Sequence, residues 1–238
     1  MRLLCINPNT TEAMTDAVVT AIRPYLPANT EIVPVTGRIG APYISTRASY
    51  AVGGHAALDV FARHADQSWD AVLLACFGEP ALFALREVSA IPVIGMAEAS
   101  MMLAAREEGP FSIVTGGPAW EAMLKEFAAI TGFSNRLASV RTTTLTGGDI
   151  FARPDAAISA LLDAVSACQA DGAARVILGG AGLAGLAARL RPLAPLPIVD
   201  CVEALAIIAQ EAVAQDHAKG LEARPSPAAA ALASAGWV

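Results

Sequence analysis

Short apolar runs alternate with longer, alanine-rich segments along the chain. Most of these runs lack polar alternation, which is typical of strands that are buried on both faces. Strands are predicted at Leu3–Ile6, Glu31–Val35, Ala71–Ala75, Pro92–Ile94, Phe111–Val114, Ser139–Thr142, Arg175–Leu178 and Ile198–Val199. Helices are predicted from Thr10 or Thr11 to about Tyr25, Tyr50 to Ala65, Pro80 onward, Glu98 to Arg106, Trp120 to Ile130 and Ala156 to Ala170. This alternation predicts an α/β fold with mainly parallel sheets and helices on both faces.

Cys76 directly follows the buried run Ala71–Ala75. Open α/β sheets bind ligands at the carboxyl ends of their strands, which is where this thiol falls. Pro80 suits the first turn of a helix, whose unpaired N–H groups would favour the thiolate. Gly78 lets the backbone approach a ligand, and Glu79 is interpreted as the cap of that helix. Cys76 is therefore the predicted reactive thiol.

The other three cysteines, Cys5, Cys168 and Cys201, are interpreted first as small buried apolar residues. The four cysteines lack the C-x-x-C spacing of a zinc site, and in a chain of this size they do not indicate a disulfide framework. No metal is therefore expected.

Two stretches of the chain are similar to each other. Residues 71–82 and 91–99 align with residues 175–186 and 196–204, and one inserted residue brings the second pair into register. Glu12-Ala-Met14 likewise matches Glu121-Ala-Met123. We infer a duplicated α/β unit with halves at 1–108 and 109–215, related by a pseudo-twofold axis. Cys76 and Gly180 would then face each other across a cleft between the halves.

Residues 216–238 mix alanine, proline, serine and charge without periodicity. This segment is predicted to be a disordered or loosely packed tail. The last helix before it can pack on the first half.

Composition narrows the class of partner. Of the 238 residues, 55% are hydrophobic but only 5% are aromatic, which fits alanine-rich helices covering aliphatic strands. The net charge of -6 comes without a basic patch, so nucleic acid is not expected as a partner. The chain shows neither a signal-peptide core nor an apolar run that could span a bilayer. A cytoplasmic protein without a membrane partner is predicted.

Four motifs occur in order: Asn7-Pro-Asn-Thr10, Ala75-Cys-Phe-Gly-Glu-Pro80, Ile94-Gly-Met-Ala-Glu-Ala99 and Leu178-Gly-Gly-Ala-Gly-Leu183. Together they resemble the aspartate/glutamate/hydantoin racemase superfamily, especially its hydantoin and allantoin racemases, over about residues 1–215. The resemblance implies a two-domain enzyme that needs no cofactor and takes a proton from a carbon next to a carbonyl, with one cysteine on each face of the substrate. The implied substrate is a small cyclic ureide or carboxylate. Cys76 matches the first cysteine, and a homo-oligomer is expected.

Gly180 stands where the family has its second cysteine, in a motif that the family writes Gly-Cys-Ala/Gly-Gly. A two-base racemase removes a proton on one face and returns one on the other, and glycine does neither. Three routes stay open: the planar intermediate turns over, water reprotonates the open face, or another side chain reaches in. Cys201, at the repeat position of Met96, is one candidate, although a packed helix start is its other interpretation.

Such a cleft must stabilise an enolate or related anion, and backbone N–H groups at loops and helix starts are the available donors. The predicted sources of these N–H groups flank the two facing positions: Phe77, Gly78, Ala181 and Gly182, beside Gly180. The family pattern adds Asn9, Thr10, Ser45 and Thr115 as polar contacts, with Thr115-Gly116 where a Thr-Thr pair is common.

A single thiol also suits other reactions of this superfamily. Arylmalonate decarboxylases protonate an enediolate with one cysteine, and maleate isomerases use one as a nucleophile. A single-thiol decarboxylase or cis-trans isomerase of small dicarboxylates is therefore one alternative, and an inactive ligand-binding protein is another. The preferred prediction is a cofactor-independent racemase of hydantoin or allantoin type with Cys76 as its proton-transfer thiol.

Overall fold

Two parallel sheets of four strands follow each other along the chain in the computed structural model, which describes residues 1–236. The first sheet and its helices comprise β1 (Arg2–Asn7), α1 (Glu12–Ile22), β2 (Glu31–Thr36), α2 (Arg47–Ala62), β3 (Ala71–Leu74), α3 (Leu82–Val88), β4 (Val93–Gly95) and α4 (Met96–Ala104). The second sheet and the helices that follow β4 and α4 comprise β5 (Phe111–Gly116), α5 (Trp120–Ile130), β6 (Leu137–Thr143), α6 (Gly147–Ala152), α7 (Pro154–Ala170), β7 (Arg175–Leu178), α8 (Ala187–Leu190), β8 (Ile198–Asp200), α9 (Cys201–Ala218) and α10 (Pro227–Ser234). Within the described residues, no helix is both long and apolar enough to cross a membrane.

The two sheets have the same strand order. It is β2-β1-β3-β4 in the first sheet and β6-β5-β7-β8 in the second, and the strand pairs are parallel. The register repeats as well, since Leu73 pairs with Ile94 and the aligned Ile177 pairs with Val199. The predicted α/β fold with two parallel sheets is confirmed. The boundary between residues 108 and 109 stays a prediction.

An ion pair recurs at equivalent places in the two units. Arg86 of α3 donates from Nη1 to Glu98 Oε1 of α4 over 3.1 Å. Arg191, directly after α8, donates from Nη2 to Glu203 Oε2 of α9 over 2.5 Å. The aligned glutamates Glu98 and Glu203 therefore tie consecutive helices together, which agrees with a duplicated unit.

The end of the chain returns to the first unit. Helix α9 packs against α1, α4 and β3, and α10 packs against α2 and α3. The Ser226 N–H donates to the Ala65 carbonyl over 2.7 Å, and Ala229 of α10 is fully buried. The tail therefore differs from the predicted disordered or loosely packed segment, because small alanine side chains let α10 approach its neighbours closely. Residues 237–238 of the predicted tail lie outside the described residues.

The two units contact each other through aromatic rings at the ends of their strands. The ring of Phe77, beyond β3, lies on the backbone of Gly179, beyond β7, where a Cβ atom would come within 2.2 Å of the ring. In the opposite direction, the indole of Trp120 lies on Gly78, where a Cβ would also come within 2.2 Å. Each ring therefore needs a residue without a side chain opposite it.

We expect Gly179→Ala to lower the free energy of unfolding by about 1–3 kcal/mol, because the added methyl group must displace the buried Phe77 ring. Urea unfolding followed by circular dichroism measures the change. Gly54→Ala in α2 is the matched control: its Cβ would meet Ala81 only at an ordinary 3.4 Å. There, better helix propensity should leave stability unchanged or raise it by about 0.5–1 kcal/mol. Equal effects of the two substitutions would contradict the assigned ring contact.

Candidate active site

A narrow cleft lies where the carboxyl ends of the two sheets meet. Both units contribute to its lining, which consists of Asn9, Met14, Tyr43, Ile44, Cys76, Phe77, Gly78, Thr115, Trp120, Gly180 and Ala181. Seven of the residues predicted from the sequence are in this set: Asn9, Cys76, Phe77, Gly78, Thr115, Gly180 and Ala181. Within residues 1–236, no cluster of three or more His, Cys, Asp or Glu side chains is arranged to hold a metal ion.

Three predicted contacts lie outside the cleft lining of the described chain. Thr10 uses its N–H to hold the loop after β2, donating to the Ala41 carbonyl over 3.1 Å. Ser45 donates its N–H to Ser49 Oγ over 3.0 Å at the start of α2. Gly182 packs against Gly147, where a Cβ would lie 2.2 Å from the carbonyl oxygen. All three therefore shape loops around the cleft.

Four lining residues were not predicted from the sequence: Met14, Tyr43, Ile44 and Trp120. A signal for Trp120 was present, because the match of Glu12 with Glu121 aligns it with Thr11, at the start of the equivalent helix. Tyr43 carried no such signal. It belongs to an irregular loop, and only the folded chain brings that loop against the second unit.

Asn9 is held by a buried polar network at the end of β1. Its Oδ1 accepts from Asn7 Nδ2 and from the Thr11 N–H, both over 2.9 Å, which fixes the orientation of the amide. Its Nδ2 contacts only the Met14 sulfur among these partners, at 3.3 Å. A thioether is a weak acceptor, so this N–H₂ group is well suited to donate to a ligand carbonyl.

Cys76 lies beyond β3 in a turn, and its side chain is only 8% exposed. Burial raises the pKa of the thiol to about 11, although the N–H groups of Gly78 and Glu79 that point at the sulfur lower it. The predicted stabilisation of the thiolate by a helix start is therefore outweighed by desolvation. Helix α3 begins at Leu82 rather than at Pro80, because Glu79 and Ala81 both have left-handed backbone conformations, with φ of 56° and 63°.

The model of the Asp/Glu/hydantoin racemase family matches residues 3–209. The chain belongs to this family. A hydantoin racemase of Pseudomonas sp. (strain NS671) is 33% identical over 205 residues, which cover 86% of this chain and 82% of that protein. The hydantoin racemase of Paenarthrobacter aurescens is 33% identical over 216 residues, covering 90% of this chain and 92% of the relative.

Among solved structures, the allantoin racemase of Pseudomonas fluorescens has a TM-score of 0.85 at 29% identity, covering 97% of this chain and 96% of that chain. The family resemblance inferred from the four motifs is thus confirmed. As a member of this family, the chain is a racemase and therefore an isomerase.

Gly180, predicted from the sequence to stand at the family's second cysteine position, brings only backbone to the cleft. Gly180 lines the cleft with φ of 136°, and a Cβ there would approach Leu183 to 3.1 Å and Thr115 Oγ1 to 3.6 Å. Cys201 lies behind it, with its Sγ 4.0 Å from the Gly180 carbonyl oxygen, and is 1% exposed. Burial raises the pKa of this thiol strongly. In the described chain Cys201 does not line the cleft, because packing at the start of α9 turns it inward.

Glu79 caps a different helix from the one expected. Its Oε1 accepts the Glu98 N–H over 2.8 Å at the start of α4, and its carboxyl group occupies the space that a side chain at Gly95 would fill. Burial raises the pKa of this carboxyl group to about 8. Among residues 1–236, Glu79 Oε2 has no hydrogen-bond partner, which is consistent with a group that holds a proton at neutral pH.

We expect alkylation of Cys76 by iodoacetamide to accelerate about tenfold per pH unit up to at least pH 10, because only the thiolate reacts. Peptide mapping by mass spectrometry isolates the rate at this residue. The same chain in urea is the control, and its rates should level off near the pKa of a free cysteine, about 8.5. A plateau below pH 9 in the folded protein would show that the backbone N–H groups lower the pKa of Cys76 more than burial raises it.

Glu79→Gln should become more stabilising relative to the parent protein as the pH rises. The folded-state pKa of Glu79, about 8, lies above its ordinary 4.5, so the stability it contributes is complete below pH 4.5 and is lost as pH rises through 8. Between pH 5 and pH 9 we expect the stability difference to move by about 1–4 kcal/mol in favour of the variant.

Urea unfolding at both pH values measures this difference. Glu87→Gln, at an exposed position of α3, is the control and should change stability by less than about 0.5 kcal/mol at either pH. A Glu79→Gln difference that is independent of pH would contradict the assigned buried proton.

Proposed function

We propose that this racemase inverts a carbon next to a carbonyl in a hydantoin- or allantoin-type substrate, with Cys76 as the thiol that transfers the proton. One observation carries the proposal. The only cysteine among the lining residues of the described cleft is Cys76, in a chain whose relatives along most of its length are hydantoin racemases. Cofactor independence and a homo-oligomeric state are part of the same proposal.

In the proposed reaction, the Cys76 thiolate removes the proton from the substrate carbon and becomes a thiol. The electron pair moves into the adjacent carbonyl, so negative charge develops on an oxygen atom. The raised pKa of Cys76 makes the thiol the resting form in the empty cleft. A buried sulfur of this kind is a strong base once it has lost its proton, because solvent does not stabilise the charge.

Backbone amides support the developing anion. The loops Cys76–Gly78 and Gly180–Ala181 meet in the cleft from opposite sides. Donors fixed in place by packing need no reorganisation as charge develops. In a cleft that excludes water, they stabilise the anion more strongly than they would in solution. The Asn9 amide adds a side-chain donor that suits a ureide carbonyl.

The observation that favours a one-thiol reaction is Gly180, which brings no acid or base to the second face. Proton transfer by Cys76 alone would exchange the substrate hydrogen with retained configuration. Decarboxylation or cis-trans isomerisation of a small dicarboxylate would use the same thiol without inverting a centre. Binding without turnover would leave the hydrogen in place.

Proton NMR in deuterium oxide separates these outcomes. The D and L forms of a 5-substituted hydantoin are incubated separately with the protein, and the C5 proton signal is followed together with the enantiomer ratio on a chiral column. We expect loss of the proton and growth of the opposite enantiomer. Cys76→Ser should reduce both by at least about 100-fold, which is the lower range for loss of an acid–base group.

Cys168→Ser is the matched control. Cys168 of α7 is buried, but the hydroxyl groups of Ser112 and Ser139 lie beside it, so a serine there has hydrogen-bond partners. Its rates should stay within about twofold of the parent protein. Exchange no faster than with Cys76→Ser, from either enantiomer, would overturn the proposed racemisation and direct the search to malonates, maleate or a binding role.

A further inference from the structure

Besides the Cys76 thiol, the described cleft lining contains the ionisable phenol of Tyr43. Tyr43 belongs to the loop between β2 and α2 of the first unit, yet its hydroxyl lies against the second unit. A Cβ at Gly147 would be only 2.3 Å from the Tyr43 oxygen. The Gly147 carbonyl in turn packs on Gly182, in the loop that begins at Gly180. The phenol therefore packs against the second unit, the unit that also contributes Gly180 to the cleft.

The loop that carries Tyr43 is anchored at both of its ends. The Thr10 N–H donates to the Ala41 carbonyl over 3.1 Å, and Thr11 Oγ1 donates to the Pro42 carbonyl over 2.7 Å. Beyond the tyrosine, Thr46 and Ser49 form a reciprocal capping box at the start of α2. A side chain held between two such anchors keeps its position, as an acid–base group requires.

The surroundings of the phenol oxygen set its protonation. The side chain of Trp120 and the backbone of Gly147 lower the pKa of Tyr43, but burial dominates and raises the pKa to about 12, with Cys76 and Asp149 adding to the rise. The group is therefore a proton donor at neutral pH. Thr115 Oγ1 also lies near Gly180, but an aliphatic hydroxyl is a much weaker acid than a phenol.

Resting on the function proposed above, we propose that Tyr43 is the second catalytic acid–base residue, acting on the substrate face opposite Cys76 where Gly180 offers no side chain. For one enantiomer, the Cys76 thiolate takes the carbon-bound proton, and the Tyr43 O–H bond breaks to give its proton to the other face. Products are the inverted substrate, a Cys76 thiol and a Tyr43 phenolate, and solvent restores the starting protonation. For the other enantiomer the two residues exchange roles, and no electrons are gained or lost.

Tyr43→Phe tests this assignment, because it removes the hydroxyl and keeps the ring. With each enantiomer in deuterium oxide, we expect inversion to fall by at least about 100-fold. The enantiomer whose hydrogen faces Cys76 should still exchange that hydrogen with retained configuration, whereas the opposite enantiomer should lose exchange. The surviving exchange is an internal check that the fold and Cys76 are intact.

Tyr50→Phe is the matched control. The Tyr50 hydroxyl donates to the Glu79 carbonyl over 3.3 Å, close to Cys76, but Tyr50 is absent from the described cleft lining. Its inversion rates should stay within about twofold of the parent protein.

The possible failures are distinct. Inversion by Tyr43→Phe within threefold of the parent rate would overturn the role of Tyr43 and leave the proposed racemisation standing. Equal loss of exchange from both enantiomers would also overturn it, because a residue that only positions substrate affects both faces alike. No exchange by the parent protein would overturn the proposed function and this role together.

Discussion

Contact between aromatic rings and bare glycine backbone determines how the two α/β units meet. Phe77 lies on Gly179, Trp120 lies on Gly78, and Tyr43 lies on Gly147, and each of these pairs joins one unit to the other. A flat ring on a residue without a Cβ allows two loops to approach more closely than any pair of side chains would. The cleft is consequently narrow, and Gly78 and Gly180 bring bare backbone to its wall, where N–H groups can stabilise a developing anion.

This close approach also controls the electrostatics. Loops that exclude water leave Cys76 and Glu79 buried, and burial is the largest influence on both of their pKa values. For the thiol, the result is a protonated resting state in spite of two backbone donors. For the carboxyl group, the result is a buried acid that holds its proton near neutral pH while it caps α4. Desolvation thus outweighs local hydrogen bonding at both positions.

The two units share the same backbone arrangement but differ in the side chains at equivalent positions. The start of α4 is capped by Glu79 reaching over Gly95, whereas the start of α9 is capped by Asp200, the repeat partner of Gly95, whose Oδ1 accepts the Val202 N–H over 2.9 Å. The unpaired N–H groups at the starts of the two equivalent helices are thus capped by side chains from different positions in the sequence. At the facing loops the divergence is chemical: a thiol at Cys76 corresponds to hydrogen at Gly180. A symmetric scaffold therefore encloses an asymmetric cleft.

The sequence by itself determined the two sheets, the repeat and the position of Cys76. These features depend on local patterns, since apolar runs predict strands and strand ends meet at one edge of a parallel sheet. The family resemblance also identified Asn9 and Thr115 as cleft residues, and the repeat together with the family motif identified Gly180. Only the tertiary structure decided the protonation of Cys76, the helix that Glu79 caps and the arrival of Tyr43 and Trp120 in the cleft. Burial and contact between units join residues far apart in the chain, and no local pattern records which loop will cross to the other unit.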